Sequence, residues 1–215
     1  MSATPVQRGG RVQPLVLMLL AAVATIVSGI GPFDRMTWWL EVSPVIVGLA
    51  VLAATSRRFP LTTLLYWLLF IHALVLVLGG HYTYARVPIG FTVQDLFDLA
   101  RNPYDRFGHF AQGFVPAILA REILLRLSPL QRGGWLFVIV TSFCLAFSAF
   151  YELIEWWVAV VAGDGSTDFL ALQGDPWDTQ WDMFIALLGA IGAQLVLGRW
   201  HDHDLKALQG NGGGS

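Results

Sequence analysis

Cysteine is nearly absent: Cys144 is the single one in 215 residues, and it lies in an apolar run. That excludes a disulfide framework and a cysteine-built metal site, and leaves Cys144 as a small packing hydrophobe. Charge is scarce too, at 13% Asp, Glu, Lys and Arg, against about 25% in an ordinary soluble domain. A net charge of −2 offers no basic surface, so no nucleic-acid partner is expected. The sequence has no internal repeat, nor the matched pair of interrupted helices seen in many transporters. What it has is hydrophobic residues, 55% of the chain with a mean hydropathy of +0.60, gathered in long runs that imply a bilayer as solvent.

A helix needs about 20 mostly apolar residues to cross the hydrocarbon core. Six runs qualify, at 14–31, 38–55, 61–79, 107–126, 135–161 and 182–199. Glu41 weakens the second, and Arg121 with Glu122 the fourth. The expected fold is all-α: a polytopic membrane bundle of about six transmembrane helices, forming a single integral membrane domain over residues 1–209. Residues 210–215 read as an appended flexible linker. Between spans three and four, apolar positions recur at helical spacing over Val93–Ala100, which predicts a short amphipathic helix in the membrane interface. Residues 162–181 form an acidic loop in which Asp164, Ser166 and Asp168 alternate as calcium ligands can, a short and weak pattern.

With the N-terminus inside, Arg8, Arg11, Arg57, Arg58, Arg121, Arg126, Arg132, Arg199 and Lys206 all fall in the cytoplasm. Only Arg35, Arg86, Arg101 and Arg106 fall outside, most of them near acidic residues. The positive-inside rule therefore puts both termini in the cytoplasm. The basic start and short first run also describe a signal peptide. A retained helix is the preferred reading, because Gly31-Pro32 leads directly into another hydrophobic stretch.

Three clusters carry the unusual chemistry. Tyr104-Asp105-Arg106-Phe107-Gly108-His109 opens the fourth span, and on a helix Asp105 and His109 share a face with Gln112 beside them. Glu152 and Glu155, three apart, share a face late in the fifth. Asp178 and Asp182 stand at helical spacing as the sixth begins. Glu155 lies about 30 Å along its helix from Trp135, level with the starts of the fourth and sixth spans. An ionisable group inside a span costs at least about 2.5 kcal/mol on insertion scales, so such groups usually face protein, water or an ion.

Several carboxylates and one imidazole at one depth suit a divalent cation, Mg²⁺, Mn²⁺ or Zn²⁺, held mostly by oxygen. The candidate ligands are His109, Glu152, Glu155, Asp178 and Asp182, with Asp105, His109, Glu152 and Glu155 as acid–base groups. Arg106, Gln112, His81 and Tyr104 are the candidate substrate contacts. Plainer readings compete. Asp105 and Asp182 also suit helix caps, and Glu152 or Glu155 could form a structural salt bridge with Arg106. His72 reads as a packing residue, while His201 and His203 read as solvated in the tail.

The stretches Gly79–Ala85, Arg101–Pro116, Tyr151–Trp157, Gln173–Asp175 and Trp177–Met183 resemble the YjdF-like family of bacterial inner-membrane proteins, over nearly the whole chain after the first span. Pro103 departs from the family, where His is common. A more distant resemblance is to VanZ-like membrane proteins, associated with glycopeptide-antibiotic resistance. It rests on Asp105-Arg106-Phe107-Gly108-His109-Phe110, Glu152, and Asp182 with Gly189; Glu155 stands where that group usually has Gln. The resemblances imply a multi-pass protein of the bacterial inner membrane in contact with lipid, and bring no reaction. The expected function is metal-dependent hydrolysis or group transfer on a lipid-linked or cell-envelope molecule at the outer leaflet. A small ion- or proton-coupled transporter and a non-catalytic accessory subunit are the alternatives.

Overall fold

The structure, a computed structural model, describes residues 6–162 and 173–210. The Asp164-Ser166-Asp168 pattern and the tail beyond Gly210 lie outside the described residues. Among the described residues the chain forms helices and no strand: α1 (Val6–Ser28), α2 (Arg35–Thr55), α3 (Thr63–Tyr82), α4 (Pro88–Phe97), α5 (Tyr104–Leu127), α6 (Gly134–Ala162) and α7 (Asp178–Gly210). Every expected span is a helix. By length and apolar composition α2, α3, α6 and α7 can each cross a membrane, and α1 contributes a shorter apolar stretch, Val12–Ser28. α5 is long enough, at 24 residues, but carries Arg121, Glu122 and Arg126, whose partners are described below.

The outer shell of the bundle is apolar, with Leu19, Ile26, Val51, Phe143, Leu195 and Val196 all exposed. Such a surface is stable against lipid tails and unfavourable in water. Inside, Leu65, Ile118, Leu136, Val140, Ala190 and Ala193 form one core with Cys144, which is buried and packs as its sequence context suggested.

Local chemistry sets the helix ends. Asp34 caps α2, its carboxylate accepting the Thr37 backbone N–H at 2.6 Å, and that hydrogen bond holds the Asp34 carboxyl below its usual range. The amphipathic helix exists but starts earlier than its periodicity suggests. Pro88 opens α4 because proline is pre-organised for the first helical turn, and Asp98, in a left-handed conformation, closes it.

α5 and α7 run in the same direction and form the most extensively packed pair. A Cβ on Gly113 would collide with the Ala186 backbone carbonyl, and one on Gly189 with the backbone at Phe110 and Phe114. Only glycine lets these two backbones come so close, as small residues commonly do between membrane helices.

Beyond this seam, α5 and α7 are joined by a buried polar network. The Glu122 carboxylate, fully buried, accepts from Thr62 Oγ1 at 2.7 Å, Arg126 at 2.8 Å and His201 Nε2 at 3.0 Å. Arg121 donates to His201 Nδ1 at 2.7 Å, which fixes the tautomer that donates to Glu122. Its second nitrogen donates to Asp202, which also accepts from Arg132. His201 is therefore wholly buried, a correction to its reading as a solvated tail residue. α7 continues past residue 199 because this network holds it, whereas His203 is exposed.

Candidate metal centre where α5 and α7 begin

At the other end of the α5–α7 pair, three helices converge on His109. α6 brings its acid through a buried stripe at every fourth residue, Leu136, Val140, Cys144, Ser148 and Glu152, the spacing that keeps one helical face inward. The inward face of α7 carries Asp178, Asp182, Ala186 and Ala190. α5 supplies Asp105 and His109, both buried. The groups that the sequence places at one depth thus also face one another.

The His109 ring has acids on both sides. Nε2 lies 3.7 Å from Asp105 Oδ1 and 3.8 Å from Asp182 Oδ2, while Nδ1 lies 2.9 Å from Gln112 Oε1 and 3.9 Å from Glu152 Oε1. Asp105, His109 and Asp182 form one group whose ligand atoms lie within 4.8 Å of one another, and His109, Glu152 and Glu155 form a second. With the Gln112 oxygen against Nδ1, that nitrogen carries the proton, and the lone pair of Nε2 is left for the Asp105–Asp182 side. Atoms about 2.1 Å from a shared ion stand roughly 3.0–4.2 Å apart, from right-angled to opposed ligation. The Nε2 distances fall in that range.

Two carboxylate oxygens here, Glu152 Oε1 and Asp182 Oδ1, are buried and lack a hydrogen-bond partner. Buried acceptors are nearly always satisfied, so these two oxygens suit a bound cation or a further donor. These residues could hold a metal.

Arginines close one side of the cluster. Arg101 binds Asp178 and lies 3.1 Å from Asp105 and 3.8 Å from Asp175. Burial would push its guanidinium down, but the carboxylates of Asp178, Asp105 and Asp182 together more than reverse this and hold the proton more firmly than usual. Arg106 pairs with Asp175 at 2.7 Å and lies over the Trp181 ring, so the alternative pairing of Arg106 with Glu152 or Glu155 is not formed. Asn102 fixes the approach to α5. Its backbone exchanges two hydrogen bonds with the Gln173 amide, and its side chain accepts from Tyr104 N and donates to Val87 O.

The expected residues therefore separate. His109, Asp105, Asp182, Glu152, Glu155 and Gln112 come together, and Arg106 lies at the margin, part-exposed. Asp178 belongs to neither ligand group and faces Arg101 instead. Tyr104 donates its hydroxyl to Val75 O at 3.0 Å, and His81 Nδ1 lies 2.8 Å from Ser28 O, tying α3 to α1. Neither offers its polar group to the cluster. Sequence reasoning missed Arg101 as a site residue, and it treated Glu41 only as a blemish in a span. Glu41 is buried in α2 and accepts from Tyr151 OH at 3.1 Å. Its signal was the same as that of Glu152, an acid in an apolar run near one membrane boundary.

A family model described as a predicted membrane protein (DUF2238) matches residues 13–203. The inner membrane protein YjdF of Escherichia coli (strain K12) is 51% identical over 197 residues, covering 90% of this chain and 94% of that protein. No solved structure matches. These findings bear out the first resemblance and do not extend to VanZ-like proteins.

Proposed function

The chain belongs to the DUF2238 family of predicted membrane proteins, and from that premise we propose that it carries a divalent-cation centre acting on a lipid-linked or cell-envelope molecule at the outer leaflet. Asp105, His109 Nε2 and Asp182 are the ligands in this reading, and Gln112 orients His109 through Nδ1. The ion would supply Lewis acidity, polarising a phosphoryl or carbonyl oxygen. Glu152 and Glu155, across the imidazole, are placed to accept or return a proton, and Arg106 to bind an anionic headgroup. The observation that carries this reading is the imidazole between two acid pairs, each pair including a carboxylate oxygen without a partner. The outer-leaflet placement rests on the arginine asymmetry of the sequence.

A second reading, an ion- or proton-coupled transporter, draws support from Glu41. Through Tyr151 it extends the row of buried acids onto α2, as a relay would require.

Elemental analysis of detergent-extracted protein, with a melting curve for each variant, tests the centre. Wild type should retain a stoichiometric divalent ion. His109→Ala and Asp182→Asn should each lose most of it, and their double variant little more, because one ion is shared. Gln112→Leu should weaken binding by about 10–100-fold, the usual effect of removing an orienting partner. Glu152→Gln should keep the ion. Loss of the ion in Glu152→Gln but not in Asp182→Asn would move the centre to the other side of the ring. An ion-free wild type under metal-replete conditions would end the proposal and favour the relay.

A further inference from the structure

The far end of the bundle, where the arginines gather, has an open cleft of about 1590 Å³ between α1, α3, α7 and the α2–α3 turn. Its walls are apolar and aromatic, including Leu15 and Met18 from α1, Trp67 from α3 and Trp200 from α7. Leu15, Trp67 and Trp200 are 60%, 45% and 58% exposed. The α1 wall continues without a polar break into the exposed Leu19 and Val23, so the cleft opens sideways onto the lipid-facing surface. Exposed tryptophans near the ends of apolar spans suit the headgroup level of a bilayer.

At its rim stand Arg57 and Arg58. Neither side chain makes an ion pair or hydrogen bond with any described residue. Arg121, Arg126 and Arg132, by contrast, are bound to Asp202 or Glu122. The one acid in the lining, Asp204, accepts the Leu64 backbone N–H at 3.3 Å. The rim thus has two uncommitted positive charges above an apolar slot.

We propose that this cleft binds an anionic phospholipid, its phosphate against Arg57 and Arg58 and an acyl chain along the α1 wall. Basic pockets between membrane helices select such headgroups. A soluble acidic peptide would satisfy the arginines and leave the slot open to lipid tails, while a zwitterionic lipid would fill the slot without neutralising the rim. The proposal is independent of the metal centre at the opposite end.

Full-length protein in neutral detergent, titrated with cardiolipin, phosphatidylcholine or inorganic phosphate and followed by melting temperature and retained lipid, provides the test. Cardiolipin should raise the melting temperature of wild type, and phosphatidylcholine and phosphate should not. The double variant Arg57→Gln/Arg58→Gln should bind cardiolipin about thirtyfold more weakly, given the attraction of each arginine near an anionic surface. The double variant Arg57→Lys/Arg58→Lys and Arg199→Gln, a change outside the cleft, should respond as wild type does. Each response is read against the same variant without lipid, so an altered baseline stability does not obscure it. An unchanged response in Arg57→Gln/Arg58→Gln, an equal response to phosphatidylcholine, or full reproduction by phosphate alone would each overturn the assignment.

Discussion

Gly113→Ala tests whether the close approach of α5 and α7 organises the bundle. Two effects oppose each other. In a helix interior, alanine is favoured over glycine by about 1 kcal/mol. Against that, the added methyl would collide with the Ala186 backbone carbonyl, which unlike a side chain cannot swing aside. The helices must part by something on the order of 1 Å, and a gap of that size forfeits a quarter to a half of the dispersion energy at each contact along the seam. Overpacking usually costs about 1–3 kcal/mol, and a rigid backbone obstacle puts Gly113 at the upper end. The net expectation is a loss of about 2 kcal/mol, or a melting temperature lower by about 4–8 °C in a chain of this size. Gly192→Ala, on the same α7, is the control. Nothing lies within 4 Å of the Cβ it would add, so it should raise the melting temperature by about 2–4 °C from helix propensity alone. Melting of both variants in one detergent reads the difference directly. Equal shifts of the same sign would refute the seam.

Glu122→Ala should destabilise by about 3–5 kcal/mol, because it leaves Arg126 and His201 without the buried charge they bind. Asp202→Ala, which removes a partly exposed acid, should cost about 1 kcal/mol or less in the same melting assay. Asp34→Ala should cost about 1 kcal/mol as the loss of a helix cap. Because the Asp34 carboxyl is lowered in the folded chain, its contribution is present above the usual 3.8 and fades as pH falls through the folded value. Wild type and variant should therefore differ at pH 7 and converge in acid; a pH-independent difference would contradict the capping role.

The helices were legible because a bilayer demands long apolar runs, and five of the six spans owe their signal to that alone. The fourth span, α5, was harder. Its Arg121 and Glu122 resemble a break in the span, and only the pairing with His201, 79 residues beyond Glu122 in sequence, explains their burial. His201 was misread for the same reason: a histidine among acids in a terminal segment looks solvated until its partners on another helix are known. At the candidate centre, depth could be counted along each helix, so Asp105, His109, Glu152 and Asp182 could be set at one level. Rotation about the helix axis was less accessible. The stripe from Leu136 to Glu152 hinted at it, but nothing local told that Asp178 turns to Arg101 while Asp182 turns to His109. Tyr104 and His81 carry polar tips that suit ligand contacts, yet both meet backbone carbonyls of α3 and α1 that no sequence motif announces.

The glycine seam also has a mechanical consequence. α5 and α7 are locked near mid-length and carry charged assemblies at both extremities, so the pair behaves as a single strut of about 36 Å, the length of the 24-residue α5. A strut cannot pivot at one end without displacing the other. Any tilt of α7 against α5 at the His109–Asp182 end is carried past the seam to the Glu122–His201 contact. Were the proposed ion to bind at that end, the Arg121–Asp202 pair at the opposite end of the strut is where altered protection would be sought.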